Sequence, residues 1–299
     1  MPPPNEIVRA LHERGALSEP APGIVLLRGE IAGLMNALEQ AIAVLCVAES
    51  LEEWRVPPAI GFSSLARADY FASFPQWLTL VSHLSDDEVA LRNVAEHNDP
   101  DRAATTAPLA ALNPAVCYHV YSHLAGQVVD TPRVVTAQST CWRYEGAHHT
   151  PLARQWAFTM REIVFVGAAA EARLFLERAS SRVIDLARAL DLDPTVALAS
   201  DPFFAPTARG KQLLQQIEEL KHELLLPIDA DARIAASSFN LHGEFFGRAF
   251  DIRLPSGVPV TTACIAFGLE RWLLAFLVRY ELDASTWPAL HSLLEPLHA

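Results

Sequence analysis

The chain has 299 residues, 51% of them apolar and 19% charged, with a formal net charge of −12. That length supports one large domain or two smaller ones, and the composition excludes a disordered chain. The acidic balance makes the chain a poor general binder of nucleic acid, because phosphate contacts supply most of that affinity, and leaves room only for a local basic patch.

Taken in order, the opening MPPPNEIVRALHERG lacks the basic start and apolar run of a secretory signal. The most apolar stretch, Ala41 to Ala48, is too short to span a bilayer, so a cytoplasmic protein with no membrane attachment is expected. In a reducing compartment the scattered Cys46, Cys117, Cys141 and Cys264 read as core residues, ligands or nucleophiles rather than disulfides. Residues 31–54 carry Ile31, Leu34, Leu38, Ile42, Leu45 and Leu51 at helical spacing, and Pro57 and Pro58 end that helix in extended chain. Residues 86–113 are polar and read as a surface excursion. Residues 115–123, AVCYHVYSH, alternate like a strand, which puts Cys117 and His119 on one face. Strands over 134–145 and 155–166 flank the loop GAHHTPLAR, which reads as a long hairpin connection. Residues 169–190 and 209–225 read as helices separated by a proline-rich connector, and the second carries the only two lysines, Lys211 and Lys221. Residues 232–254 read as two short strands. Residues 258–265 form another strand, and the helix FGLERWLLAFLVRY follows at once. Clustered antiparallel strands with helices between and outside them indicate an α+β fold rather than alternating βαβ units.

Three pieces carry chemistry. Arg143-x-Glu145 is followed, after the loop, by Phe158-x-x-x-Glu162, whose ends share a strand face. AFGLER, Ala266 to Arg271, places a glycine at a strand-to-helix junction and an arginine in the first turns of the helix. The long helix and Pro57–Pro58 are the third piece. Each residue also has a structural reading. Cys117 and Cys264 suit buried thiols, with Cys46 and Cys141 as packing. Arg143 and Glu145 suit an exposed ion pair worth little. His119 is a rival ligand to Cys117 or a satisfied strand histidine, and His148 and His149 sit in the loop.

As an ordered set, these pieces resemble the three signature motifs of class II aminoacyl-tRNA synthetases, with Ala266 in place of one glycine. The resemblance implies an antiparallel sheet flanked by helices. It implies a single catalytic domain over residues 1–299, with a helical insertion around 169–225. It makes Arg143, Glu145 and Arg271 the catalytic set: Arg143 on the α-phosphate of ATP, Glu145 on the ATP or substrate side, Phe158 against adenine, and Arg271 over its other face and on the γ-phosphate. Magnesium (Mg2+) would bridge the phosphates. The strands around Cys117, Glu162 and Cys264 are similar to the core of the atypical methanogen-type seryl-tRNA synthetases. There the corresponding residues hold zinc (Zn2+), with an open position for the substrate amine. Arg161, Ser238 and Asn240 fall where such enzymes contact substrate.

Only about 30 residues precede the long helix, and no basic extension follows the last one, so no tRNA-gripping domain is expected. A stand-alone acidic core is similar to the bacterial amino acid:[carrier protein] ligases. That resemblance implies ATP-dependent activation of glycine or alanine as the adenylate, and transfer to the phosphopantetheine thiol of a carrier protein by a homodimer. Two alternatives remain: a seryl-type tRNA-aminoacylating core, and a non-catalytic paralogue sensing amino acid or ATP. The lysine-bearing helix is the expected carrier-docking surface.

Overall fold

The computed structural model describes residues 2–49, 52–100, 104–199, 201–202, 204 and 220–288. Helix α1 (Pro4–Glu13) leads into a hairpin of β1 (Leu17–Ala21) and β2 (Ile24–Leu27), then helix α2 (Gly29–Glu49) and strand β3 (Glu52–Arg55). A small sheet follows, from β4 (Ala59–Gly61), β5 (Leu80–Val81) and β6 (Ala110–Leu112). Its connections hold α3 (Phe62–Arg67), α4 (Tyr70–Ser73) and α5 (Glu88–His97). Next come α6 (Cys117–His123), β7 (Arg133–Trp142), β8 (Ala157–Gly167), α7 (Ala169–Ala189), β9 (Thr195–Leu198), β10 (Lys221–Pro227) and β11 (Arg233–Gly243). Helix α8 (Phe245–Phe250), β12 (Thr261–Gly268) and α9 (Leu269–Tyr280) complete the fold.

The main sheet runs β3-β7-β8-β12-β11-β10-β9, and every pair is antiparallel except β3–β7. Its centre is dictated by sequence. Met160 to Gly167 are all buried, so β8 must be covered on both faces. Alternation sends Ile163 and Phe165 into the core beneath α2, α7 and α9, and sends Val164 and Val166 into the core beneath α6 and α8. Helix α9 is buried almost all round, from Leu269 through Val278, which marks a central helix rather than a surface one. Each such Leu, Phe or Val contributes about 1.5–3 kcal/mol by leaving water. Trp272 adds a hydrogen bond from its indole N–H to Ser237 Oγ at 3.0 Å.

Helix α2 is long and apolar enough to cross a membrane. Its stripe of Ile31, Leu34, Leu38, Ile42 and Leu45 is instead buried in the same core as α9. At its end Glu49 is buried and accepts from both Arg178 and Arg182, which fixes α2 to α7.

Several segments differ from their sequence patterns. Residues 117–123 form a helix, not a strand; Cys117, Tyr118, Val120 and Tyr121 are its buried residues, a spacing that also fits one helical face. The polar stretch 86–113 contains α5 and β6. Residues 233–243 are one long strand, and the Phe-rich remainder of that stretch is α8. There Gly247 lies so near β12's approach that a Cβ would meet Val260 O at 2.2 Å. Residues 221–225 belong to β10, and 205–219 lie outside the described residues. Strand β9 also falls within the stretch read as a helical insertion.

Candidate active site

The cleft is built where β7, β8, β11 and β12 end near the start of α9. Strand β7 stops at Trp142, so Arg143 and Glu145 lie just beyond it. The ladder runs one step further, from Arg143 N–H to Trp156 O at 2.8 Å, and the chain turns at Gly146, which has φ +63°. The Arg143 Nε donates to Pro114 O at 3.1 Å, and the guanidinium lies over the rings of Trp77 and Phe158, 5.2 and 5.5 Å from their centroids. Two aromatic faces and a carbonyl hold this cation in place without neutralising it. Across the cleft Arg271 donates from Nε to Ala153 O at 2.9 Å and from Nη1 to Ala235 O at 2.8 Å. Burial, and next the nearby Arg143, lower the pKa of Arg271, so the cleft favours an anion between the two guanidiniums.

Arg143, Glu145, Phe158, Ser238 and Arg271 line this one cleft with Met160 and Ala266. Glu145 pairs with Arg154 at 3.5 Å. Sequence reasoning missed several neighbours. Glu270 and Glu223 also line the cleft. Trp77, under Arg143, comes from a stretch that carries no motif. Glu270 could have been read from its place beside Arg271. Its two carboxylate oxygens accept from Thr159 N–H at 2.8 and 2.9 Å, and burial pushes its pKa up to about 7.

A pKa raised on folding means that the folded state keeps a proton the unfolded chain releases. Stability therefore falls as pH rises from about 4.5 towards 7, by about 3 kcal/mol in total from this group. Glu270→Gln is expected to remove that slope. Urea unfolding of the two proteins across this range checks it, and parallel curves would contradict it.

Two residues further along β8 and β12, about 7 Å of strand, the same sheet face carries Glu162 and Cys264. Cys117, at the start of α6, meets them. One ligand atom from each of the three lies within 4.8 Å of the other two, and all three residues are buried. Among the described residues this is the one such group of three or more His, Cys, Asp or Glu side chains. Cys117 donates to Cys264, which raises the first thiol's pKa and lowers the second's. Asn240 Nδ2 donates to Cys264 Sγ at 3.4 Å and to Ser238 Oγ at 3.0 Å, and His242 Nε2 lies 3.8 Å from the same sulfur. Glu162 Oε1 accepts from Val116 N–H at 2.9 Å, while its Oε2 is buried with no hydrogen-bond partner. Burial, with Cys264 beside it, pushes the Glu162 pKa up to about 8. An orphaned buried carboxylate oxygen costs about 1–3 kcal/mol. Two sulfurs and a carboxylate oxygen within 4.8 Å of one another are a donor set that fits a divalent metal.

His119 does not belong to this group. Helical geometry separates it from Cys117, and burial lowers its pKa.

Two further expectations are corrected. Arg161, expected among the substrate contacts, faces the other side of the sheet from Glu162, as strand alternation requires. Its guanidinium is buried and paired with Glu39 at 2.8 Å and Glu53 at 3.0 Å, next to α2. Lys221, expected on an exposed docking helix, lies in β10 and is nearly buried, with its Nζ 2.5 Å from Asp201 and 3.3 Å from Glu223. Lys211 lies outside the described residues.

No family profile matches the chain. Amino acid–[acyl-carrier-protein] ligase 1 of Bradyrhizobium diazoefficiens is 34% identical over 244 residues, covering 80% of this chain and 74% of that protein. Ligase 2 of the same organism is 32% identical over 286 residues, covering 93% and 82%. The type-2 serine–tRNA ligase of Methanococcus aeolicus is 26% identical, covering 86% of this chain and 52% of that protein. Among solved structures, the seryl-tRNA synthetase of M. kandleri, in complex with A. aeolicus tRNASec, superposes with a TM-score of 0.84 at 22% identity. The match covers 97% of this chain and 59% of that one. Prolyl-tRNA synthetase of Giardia lamblia gives a TM-score of 0.66 at 16% identity. These likenesses establish the α+β class II aminoacyl-tRNA synthetase catalytic fold that the three motifs implied.

Proposed function

The chain belongs to the amino acid–[acyl-carrier-protein] ligases, and from that premise we propose that it activates glycine or alanine and loads it on the phosphopantetheine thiol of a carrier protein. Its ATP-dependent ligase activity and its general course, amino acid activation followed by transfer to a carrier, follow from the family. The choice of amino acid, the metal, the residue roles and the quaternary state are the proposal.

In the first step an oxygen of the amino acid carboxylate attacks the α-phosphorus of ATP. The bond to the bridging oxygen breaks and pyrophosphate leaves. Negative charge grows on the phosphorus oxygens, and Arg143 is the group held in place to offset it. Phe158 supports the adenine, Arg271 the outer phosphates, and Glu145 with Arg154 borders the phosphate side. Magnesium would accompany the triphosphate. Cys117, Glu162 and Cys264 would hold zinc, which when bound would supply a Lewis acid for the α-amine. Asn240 steadies the Cys264 sulfur, and Ser238 reaches the cleft from the same strand. In the second step the carrier's thiol attacks the activated carbonyl and AMP leaves, so no nucleophile from this chain is required.

One observation carries the proposal: the buried triad lies two residues along the strands beyond the arginine-bearing cleft, on the same sheet face. Small substrates suit the enclosure, because Glu162 is 1% exposed and Cys264 3% exposed. Exclusion by size discriminates more sharply than an added methylene, which is worth about 1–3 kcal/mol. A homodimer through α2 and β3 accords with their likeness to the first synthetase motif, and the net charge of −12 accords with a partner other than tRNA.

The test is amino-acid-dependent ATP–pyrophosphate exchange over a panel of small amino acids, followed by labelled transfer to a phosphopantetheinylated carrier and to tRNA. Exchange with glycine or alanine and label on the carrier are expected. Label on tRNA would select the aminoacylating alternative, and absence of exchange would select the sensor.

A further inference from the structure

The hairpin β1–β2 lies outside every motif above, yet it is bonded to the base of the nucleotide-binding loop. Gly23, in its turn, has φ +68°, and its carbonyl accepts from both Trp156 N–H at 2.8 Å and Ala157 N–H at 3.1 Å. A Cβ at this position would stand 2.5 Å from Trp156 Cγ, so the hairpin backbone rests directly on the indole. Glu19 closes the arrangement: its Oε1 accepts from Gly23 N–H at 2.8 Å and lies 3.0 Å from His149 Nε2 in the loop. Trp156 in turn donates from its indole to Gly146 O at 3.0 Å, packs against Tyr144 at 4.9 Å between ring centroids, and accepts from Arg143 N–H. A continuous set of contacts thus runs from Glu19 and Gly23 through Trp156 to the backbone that aims Arg143, and through His149 to the far side of the same loop.

We infer that the hairpin is a brace for ATP binding, with Glu19 and Gly23 as positioning residues that act through Trp156 and His149 and touch no substrate. The inference rests on the assignment of the cleft to ATP. A brace acting this way sets how well the loop and Arg143 meet the phosphates and leaves the amino-acid end, at the triad, unaltered. Misplacing a charge-stabilising group by about 1 Å can cost up to about a hundredfold, so a partial shift of Trp156 is expected to cost about tenfold.

The test measures ATP–Mg2+ affinity by calorimetry, and the KM for ATP and for amino acid in pyrophosphate exchange. The proteins are wild type, Glu19→Ala, Glu19→Gln, Gly23→Ala and, as a control, Ser18→Ala, whose side chain is exposed on the same hairpin. Glu19→Ala and Gly23→Ala are expected to weaken ATP binding and raise the KM for ATP about tenfold, with the KM for amino acid within about twofold of wild type. Glu19→Gln keeps an acceptor for Gly23 N–H and is expected to recover most of the loss. ATP affinity unchanged in folded variants, or both KM values rising together as thermal stability falls, would overturn the brace. A wild-type chain that binds no ATP would overturn the assignment of the cleft, and the brace with it, a result distinct from failure of the brace alone.

Discussion

Arg143→Ala is expected to lower amino-acid-dependent ATP–pyrophosphate exchange by about a thousandfold, or about 4 kcal/mol of transition-state stabilisation. The side chain is fixed before any substrate arrives, by Pro114 O and by the rings of Trp77 and Phe158. In the proposed role its charge is already placed where negative charge would develop. Arg143→Lys is expected to recover little. An ammonium has neither the planar fork for a phosphate nor the flat face that rests on two rings. The loss should appear in both the KM for ATP and kcat, because the guanidinium meets the phosphate on binding and the interaction strengthens as the new phosphorus–oxygen bond forms. Folding should lose about 2–3 kcal/mol, from one hydrogen bond to a carbonyl and two contacts with aromatic rings. Exchange kinetics with thermal unfolding of the same samples check both parts. A variant retaining a tenth or more of wild-type exchange would remove Arg143 from the proposed role.

Cys264→Ala is expected to yield protein without bound zinc and to abolish exchange with every amino acid while leaving ATP affinity within about twofold. The expected split follows from placement. Cys264 meets Cys117 and Glu162 in a buried group, whereas Phe158, Arg143 and Arg271 line the cleft nearer the strand ends. Removing one of three ligands to a structural or catalytic zinc ordinarily forfeits the ion. Metal analysis and ATP calorimetry on the variant report the two halves separately. Retained zinc, or lost ATP binding in a folded variant, would show that the triad and the nucleotide cleft are not the separable sites described above. Asn240→Ala, which removes a donor to the Cys264 sulfur, is expected to have a smaller effect in the same direction.

Much of the fold was legible wherever burial wrote a clear period. The stripe from Ile31 to Leu45 predicted α2, and the strand-to-helix change at Gly268 predicted β12 and α9; the helix was expected to run to residue 54 and be ended by Pro57 and Pro58, but it stops at Glu49 and strand β3 takes residues 52–55. Phe158 and Glu162 were legible as one face of one strand, which is why the cleft and the triad fall on the same side of the sheet. The misreadings have physical causes. AVCYHVYSH is too short for period two and period 3.6 to be told apart when aromatic and aliphatic residues alternate with small polar ones. The Phe-rich half of 232–254 is a helix because its aromatics pack on Tyr118 and Tyr121 of α6, a tertiary contact that local propensity does not contain. The resemblance points Arg161 at the substrate, although alternation beside Glu162 requires the opposite face. Lysine is usually exposed, which makes Lys221 read as surface, yet Asp201 and Glu223 pair with it near the sheet edge. The brace from Glu19 and Gly23 left no periodic signal, since it consists of backbone bonds and one tight approach to an indole.

The most direct measurement is metal analysis with zinc-edge X-ray absorption on the protein purified without added metal, with and without glycine. One zinc per chain is expected, with two sulfur neighbours at about 2.3 Å and the remaining ligands light atoms. Added glycine is expected to change only those light-atom ligands. An active enzyme free of metal, or a zinc with no sulfur neighbours, would rule out the triad as the zinc site.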